Sequence, residues 1–305
     1  MNIAPGAGVV WVMRRWLASV VVILAMVGVG LASPSSAGST TNRPYGLKVP
    51  AAYGGGQPAP LVVLLHGYTA NGDTQAAYFR MNQQADKAGF LLATPNGTRD
   101  LMGNRFWNGT DACCDFFRSG VDDVGYIDAV IDEIAAKYPV DPARVFVVGH
   151  SNGAFMAHRY ACDRSERVAA IVTLAGMQWK DQSHCSPSSA VSVLQVHGRN
   201  DDTVKYDGGT MPNGASYPGA IETVDDWAKQ NGCTGSLAAT GRRVDIEGGL
   251  AGDETVEEAY GGCPSGTDLQ LWTIERGRHV PNFNGYWAEA IWAFMANHPK
   301  APSRS

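Results

Sequence analysis

The sequence predicts an α/β protein with a mostly parallel central sheet and helices on both faces. The first observation behind this prediction is a set of short apolar runs, each ending in glycine or another turn-forming residue. These runs are residues 61–65, 90–93, 144–148, 170–174, 191–196 and 269–274. Short runs rich in Val, Ile and Leu are typical of parallel strands that are buried on both faces.

The second observation is that helical patterns fall between these runs. Apolar residues recur every three or four positions from Val124 to Tyr138, and Pro139 stands just past the end. Residues 220–230 and 286–297 look helical for the same reason. Strands that alternate with helices in this way predict a doubly wound sheet.

The composition fits one domain. The chain has 305 residues, of which 45% are hydrophobic and 17% charged, and this is enough for one large core. We find no repeat or linker, so we expect one domain over residues 38–298 and a disordered tail over 299–305. The formal net charge of −5 gives no reason to expect a nucleic-acid partner.

The N-terminus predicts export. Two arginines precede an apolar run over residues 16–32, and small residues follow over 33–37. This order is typical of a secretory signal, so we expect residues 1–37 to be removed after Ala37 and the protein to be secreted. Met13 is an alternative start, and the arginine pair leaves twin-arginine export open. The run is short for a spanning helix, so we expect no stable membrane anchor.

Six cysteines lie beyond this segment, and an even number in an exported chain predicts disulfides. They are Cys113, Cys114, Cys162, Cys185, Cys233 and Cys263. Six cysteines allow 15 pairings, and their spacing does not choose among them. A zinc site is the rival interpretation, but no Cys-x-x-Cys or Cys/His spacing supports it. We therefore expect no metal and no organic cofactor.

Residues 149–153 read Gly-His-Ser-Asn-Gly and match the pattern G-x-S-x-G. The match stands directly after a predicted strand and before a predicted helix, which is the context that a nucleophilic serine needs. A serine on such a sharp turn requires neighbours without bulk, and the helix dipole favours a developing negative charge. These features predict Ser151 as a catalytic nucleophile.

A serine hydroxyl needs a base, and in folds of this kind the chain order is Ser, then Asp or Glu, then His. Only His279 and His298 come late enough, and His298 stands at the end of the last helix. His279 follows a strand in a loop, so we expect it to be the base. The acid should follow the preceding strand, where Asp201 is preferred and Asp202 is the alternative.

We expect two backbone N–H groups to form the oxyanion hole. One belongs to Asn152, directly after the nucleophile, and the other to Tyr68, in the loop after the first long strand. Trp107, Trp179 and Tyr206 lie near strand ends and could form an aromatic wall that binds a phenolic acyl group or a sugar. Core or rim packing is the alternative interpretation of each aromatic residue.

Four segments of the chain occur together in a known pattern. They are residues 64–67, residues 121–128, residues 149–157 and the pair His197-Gly198 followed by Asp201. The set resembles the secreted esterase family that holds poly(3-hydroxybutyrate) depolymerases, feruloyl esterases and acetylxylan esterases. The likeness spans about residues 44–298 and implies the α/β-hydrolase fold. Ser151, Asp201 and His279 match the triad positions of the family.

The resemblance also bears on the disulfides and on the rim of the site. It implies that Cys233 pairs with Cys263, and we expect Cys113 and Cys114 to bridge to Cys162 and Cys185 in an unknown order. Two departures from the family pattern touch the rim. His279 follows Arg278 and precedes Val280-Pro281, and Tyr68 stands where a smaller residue or Cys is common.

The sequence therefore predicts a secreted serine ester hydrolase that acts through an acyl-enzyme. A single catalytic domain favours a feruloyl or acetyl ester of plant polysaccharide as substrate, with a poly(3-hydroxybutyrate) or hydroxyalkanoate oligomer as the alternative. A peptidase or thioesterase would use the same triad, and a catalytically silent binding protein is the rival from another class. We expect a monomer whose partner is a small or polymer-linked ester.

Overall fold

The computed structural model describes Met1, the backbone of residues 36–40, and residues 43–300. The predicted signal segment, residues 1–37, lies outside the described residues apart from Met1, Ser36 and Ala37. Ser36 and Ala37 already belong to the first strand, so the expected cleavage after Ala37 would fall inside that strand.

The described residues form strands, α-helices and one short 3₁₀ turn. The strands are β1 (Ser36–Thr40), β2 (Arg43–Lys48), β3 (Ala59–Leu65), β4 (Leu91–Pro95), β5 (Thr98–Arg99), β6 (Arg105–Phe106), β7 (Val140–His150), β8 (Ala170–Leu174), β9 (Ser192–Gly198), β10 (Gly209–Thr210), β11 (Ser216–Tyr217), β12 (Leu237–Val244), β13 (Thr255–Tyr260) and β14 (Leu269–Ile274). The helices are α1 (Gly72–Tyr78), α2 (Met81–Ala88), α3 (Asp123–Lys137), α4 (Asn152–Asp163), α5 (Ala220–Asn231) and α6 (Trp287–Asn297), and the 3₁₀ turn is Gln182–His184.

The central sheet has the strand order β1-β2-β4-β3-β7-β8-β9-β14-β13-β12. The six strands from β4 to β14 in this order run parallel, and antiparallel strands flank them on both sides. Each of the six apolar runs in the sequence falls on one of these parallel strands. The predicted mostly parallel sheet is confirmed.

The two faces of the sheet carry separate cores. Along β3, Leu61, Val63 and Leu65 pack on one face with α3, α4 and α5, whereas Val62 and Leu64 pack on the other with α1, α2 and α6. This follows from the strand geometry, because successive side chains point to opposite faces. Helices on both faces were predicted, and the structure confirms them.

The disulfides correct one expectation. Cys233 pairs with Cys263 as the resemblance implied, but Cys113 pairs with Cys114, and Cys162 pairs with Cys185. Cys162 lies in the last turn of α4, where its Cα is 5.1 Å from that of Cys185, within normal bonding range. Because these two cysteines satisfy each other, the adjacent pair is not bridged to them.

The C-terminal boundary extends further than predicted. Pro299 and Lys300 were placed in the disordered tail, but the backbone N–H of Lys300 donates to Ala143 O at 2.8 Å. Its ammonium group also donates to Val168 O and Ala190 O. The prediction for residues 301–305 lies outside the described residues. None of the helices in the described part of the chain is long and apolar enough to cross a membrane.

Replacing both Cys233 and Cys263 with alanine should lower the free energy of unfolding by about 3–4 kcal/mol, because a bond across 30 residues restricts the unfolded chain strongly. The same double change at Cys113 and Cys114, which are adjacent, should cost much less through this effect. Urea unfolding of both variants measures the two losses, and a larger loss for the adjacent pair would contradict the prediction.

Candidate active site

Ser151 stands at the sharp turn between β7 and α4. Its φ is 53° and its ψ is −120°, which is an unfavourable conformation for a residue with a side chain. Its backbone N–H donates to Leu174 O at 2.8 Å, which ties the turn to the end of β8. The side chain is half-buried, so the hydroxyl stands at the carboxyl edge of the parallel strands.

Two glycines make this turn possible. A Cβ on Gly149 would collide with the backbone oxygen of Gly153, and a Cβ on Gly153 would collide with the backbone oxygen of Leu65. The backbones of β3, β7 and α4 therefore approach more closely than any larger residue allows. This is the physical reason for both glycines of the G-x-S-x-G pattern.

Ser151, His279 and Asp201 form a hydrogen-bonded row. His279 Nε2 lies 2.9 Å from Ser151 Oγ, and His279 Nδ1 lies 2.8 Å from Asp201 Oδ2. His279 follows β14 and Asp201 follows β9, and these strands are parallel neighbours. The structure thus brings together the three side chains that the sequence predicts as a triad. Asp202, the alternative acid, is exposed, and His298 contacts Phe294 O and Asp268 instead.

Asp201 is held as an anion. Burial on its own would raise the pKa of Asp201, but its contacts with the His197 and His279 rings outweigh burial, so the pKa lies well below its usual value. Its other oxygen, Oδ1, accepts the backbone N–H groups of Thr203 and Val204, both at 2.9 Å. This carboxylate can therefore orient the imidazole of His279 and stabilise its charged form.

His150, the variable residue of the G-x-S-x-G pattern, contacts the backbone and the ring of His279. Its Nε2–H donates to the backbone oxygen of His279 at 3.1 Å, and the two rings lie 5.4 Å apart. Burial, together with the neighbouring His279, lowers the pKa of His150 to about 4. The segment after His279 is fastened as well, because Tyr78 donates its hydroxyl to Pro281 O at 2.7 Å and Glu247 accepts the N–H of Asn282.

His66 shapes the loop after β3. Its Nδ1–H donates to Gly67 O at 2.8 Å, and its Nε2 accepts the N–H of Gly97 at 2.9 Å. Burial lowers the pKa of His66 to about 4, which keeps the ring in the form that makes both bonds. These bonds fix the peptide that leads into Tyr68.

The two proposed oxyanion donors lie in this region. In the part of the chain that the structure describes, the backbone N–H groups of Tyr68 and Asn152 make no hydrogen bond to the protein. Both N–H groups can therefore donate to a bound oxygen. The side chains are engaged elsewhere. The Tyr68 hydroxyl donates to Asp100, whereas the Asn152 amide exchanges two bonds with the backbone of Trp107.

The aromatic wall needs correction. Trp107 is 0% exposed and donates its indole N–H to His66 O, and Tyr206 is 3% exposed and bonds to Thr273. Both residues belong to the core. Their rings are buried beneath the site and help to hold its loops, so neither ring offers a surface to a substrate. Trp179 is half-buried, and its ring packs against that of His184. It is the one member of the trio with partly exposed surface.

Three further histidines touch the site without belonging to the triad. His66, His150 and His197 were set aside as the base because they precede the required position in the chain, and the structure agrees that none of them bonds to Ser151. His150 bonds to the backbone of His279, the His197 ring lies 3.2 Å from Asp201, and His66 bonds to Gly67, the residue before Tyr68. Their positions at strand ends were the available signal. No group of three or more His, Cys, Asp or Glu side chains within the described ranges could hold a metal ion.

Comparison with known proteins now adds to this geometry. The pattern that defines the esterase PHB depolymerase family matches residues 44–230, which is more than half of the chain. The chain belongs to this family. Ser151 and Asp201 lie within the matched residues, and His279 lies beyond them.

The curated relatives are distant and mostly longer. Feruloyl esterase B of Piromyces equi is 28% identical over 77% of this chain and 42% of its own length. The probable feruloyl esterase C of Aspergillus niger is 27% identical over 63% of each chain. The chain thus spans less than two thirds of the length of these esterases.

Solved structures show the same fold. Acetyl xylan esterase from Aspergillus awamori superposes with a TM-score of 0.61 at 16% identity, covering 87% of this chain and all of that one. The structure titled pOPH native gives a TM-score of 0.54 at 15% identity, covering 90% of each chain. The predicted α/β-hydrolase fold is confirmed.

Acid should destabilise this protein through its buried histidines. Burial lowers the pKa values of His66, His150 and His158 to about 4, below the ordinary 6.5. Between these two values the unfolded chain binds more protons than the folded one, so the free energy of unfolding should fall as the pH drops from 6.5 to 4. Each ring contributes on the order of 3 kcal/mol across this window. Urea unfolding at several pH values measures the slope.

The variant His66→Gln provides a control for that slope. Glutamine can still accept the N–H of Gly97 but does not titrate, so the slope should decrease by up to about 1.4 kcal/mol per pH unit. A wild-type stability that is flat between pH 6.5 and 4, or an unchanged slope in the variant, would show that buried rings are not responsible.

Proposed function

We propose that the protein is a serine carboxylic-ester hydrolase that acts through an acyl-enzyme on Ser151. The observation that carries the proposal is the 2.9 Å contact between Ser151 Oγ and His279 Nε2, together with the 2.8 Å contact between His279 Nδ1 and Asp201 Oδ2. Membership of an esterase family and similarity to proteins named feruloyl esterase support the same reaction.

The first half of the reaction transfers the acyl group. Ser151 Oγ attacks the ester carbonyl carbon while its proton passes to His279 Nε2, and Asp201 stabilises the resulting imidazolium. The tetrahedral intermediate then expels the alcohol, which takes the proton from His279. The acyl group remains on Ser151 as an ester.

The negative charge that forms on the carbonyl oxygen needs donors that are already in place. The N–H groups of Tyr68 and Asn152 would supply them, since neither donates a hydrogen bond to any of the residues that the structure describes. Asn152 also begins α4, whose N-terminal dipole favours an anion. In the second half of the reaction, water attacks the acyl-enzyme with His279 as base, which releases the acid and restores Ser151.

We infer that the substrate is a feruloyl or acetyl ester attached to plant polysaccharide. The relatives named feruloyl esterase support this choice, and the partly exposed Trp179 could contact a phenolic ring or a sugar. The proposed secretion of the protein fits a polymeric substrate, and the disulfides suit an oxidising environment.

A hydroxyalkanoate oligomer is the second candidate substrate, and one observation favours it. Leu101 and Met102 stand exposed at the tip of the turn between β5 and β6, which Tyr68 contacts through Asp100. Val280, directly after His279, is also exposed. Apolar side chains around the site suit an aliphatic polyester better than a hydrated sugar chain.

Ser151→Ala should abolish hydrolysis of p-nitrophenyl acetate, with a loss of at least about 10³-fold, because no other described residue replaces the nucleophile. Labelling by a fluorophosphonate probe should disappear in the same variant. Wild-type protein that neither labels nor turns over the ester would instead support a silent binding protein. Equal melting temperatures of the wild type and Ser151→Ala would show that the variant is folded.

Kinetics on methyl ferulate, acetylated xylan and hydroxybutyrate oligomers should separate the substrate classes, and amide and thioester analogues test a peptidase or thioesterase. We expect the highest kcat/KM on the feruloyl or acetyl ester.

Trp179→Ala should lower kcat/KM for that substrate by about tenfold, since one aromatic contact of this kind is worth roughly 1 kcal/mol or more. If Trp179→Ala turned over the feruloyl ester and the acetyl ester as fast as the wild type does, a role for Trp179 in binding would be excluded.

A further inference from the structure

A chain of buried polar side chains leads from the core of the protein to the triad acid. Trp227 on α5 donates its indole N–H to His158 Nδ1 at 3.0 Å. His158 Nε2 lies 3.1 Å from Gln195 Oε1, and Gln195 Nε2 lies 3.4 Å from His197 Nδ1. All four side chains are fully buried, so water cannot replace any of these contacts.

The direction of every hydrogen bond in this chain follows from its first member. An indole N–H can only donate, so His158 Nδ1 must accept and His158 Nε2 must carry the hydrogen. Gln195 Oε1 then accepts from His158, and it also accepts the hydroxyl of Thr173 at 2.7 Å. The amide nitrogen of Gln195 can only donate: one of its hydrogens goes to Gly176 O at 3.0 Å, and the other faces His197 Nδ1.

His197 therefore presents a hydrogen on Nε2 to the loop that holds the triad acid. This atom lies 2.7 Å from Val204 O and 3.2 Å from Asp201 Oδ2. The same oxygen of Asp201 accepts from His279 at 2.8 Å. One carboxylate oxygen thus lies between two imidazoles, only one of which reaches the nucleophile.

We propose that His197 is a positioning residue for the reaction: its Nε2–H donates to Val204 O and lies beside Asp201 Oδ2, which is 3.2 Å from the nitrogen, and the partial positive charge of this group sets how strongly that oxygen attracts His279. This inference rests on the proposed serine hydrolase function. His197 does not touch the substrate and acts only through the acid.

The expected effect has a definite sign. The N–H of His197 beside Oδ2 offsets part of the negative charge that stabilises the imidazolium of His279. The carboxylate stays in place without that donor, since Oδ1 is fixed by the N–H groups of Thr203 and Val204. Removing the donor should therefore make His279 easier to protonate and move the acid limb of the kcat/KM profile to higher pH.

Other ionisable groups face this pair and remain in every variant below. His150 lies beside His279, and Tyr206 packs against the ring of His197. Arg199 stacks over Tyr206, and the hydroxyl of Tyr217 approaches the loop of Asp201 through Lys205 N. Because these groups are the same in every variant, a shift of the acid limb of kcat/KM between variants at position 197 is due to the change at that position.

The test compares His197→Leu, which removes the donor, with His197→Gln, whose amide nitrogen can occupy the position of Nε2. Asn231→Leu is the matched control. It deletes two buried hydrogen bonds to Val191 at the opposite end of β9 and has no contact with Asp201. Steady-state kinetics on p-nitrophenyl acetate from pH 5 to 9 and thermal melting are measured for all three.

We expect His197→Leu to leave KM and the kcat of the pH plateau nearly unchanged, because Thr203 and Val204 still hold the carboxylate of Asp201 in place. Its acid limb should rise by roughly half a pH unit. His197→Gln should restore the wild-type limb, and Asn231→Leu should lose stability but keep both kcat and the limb. A wild-type profile in His197→Leu, or the same shift of the acid limb in Asn231→Leu, would overturn the proposal.

A second measurement holds even if His197→Leu does not fold. In ¹⁵N spectra of the wild-type protein at pH 7, the His197 ring should carry its hydrogen on Nε2, with the signal assigned by its absence in His197→Gln. A hydrogen on Nδ1 would overturn the proposal. Wild-type protein that fails to react with a fluorophosphonate would refute the hydrolase function itself, whereas a reactive wild type with unchanged position-197 variants would refute only the role of His197.

Discussion

The strained backbone of Ser151 is the constraint on which the rest of the site depends. A positive φ at a residue with a side chain persists only when the surroundings fix it, and here they do so from three sides. β3 and α4 press against Gly149 and Gly153, and the N–H of Ser151 is bound to the end of β8. The hydroxyl therefore stands where the imidazole of His279 can reach it.

Much of the fold could be predicted because its strands are buried on both faces. The six parallel strands appear in the sequence as apolar runs with turn residues after them. The antiparallel strands β2, β12 and β13 gave no such signal, since one face or more of each is partly exposed and polar residues interrupt it. Helices α1 and α2 are short and polar on average, so their periodicity is hidden as well.

The candidate site was predictable to the extent that it follows chain order and strand ends. The positions of Ser151, Asp201 and His279 could be inferred because parallel strands bring their carboxyl ends to one edge. The burial of Trp107 and Tyr206 could not, because an aromatic residue at a strand end reads the same whether its ring faces the core or the solvent. The pairing of Cys113 with Cys114 was also out of reach, since spacing does not say which cysteines meet.

The fastening of the segment after His279 has a consequence for how this scaffold could change its specificity. Tyr78 and Glu247 anchor that segment from two distant parts of the chain, so sequence changes there would displace the base along with the rim. In the turn between β5 and β6, Asp100 bonds to Tyr68, but the side chains of Leu101 and Met102 stand in solvent and anchor nothing. Evolution or laboratory selection for a new ester therefore has more freedom at positions 101 and 102 than in the segment after the imidazole.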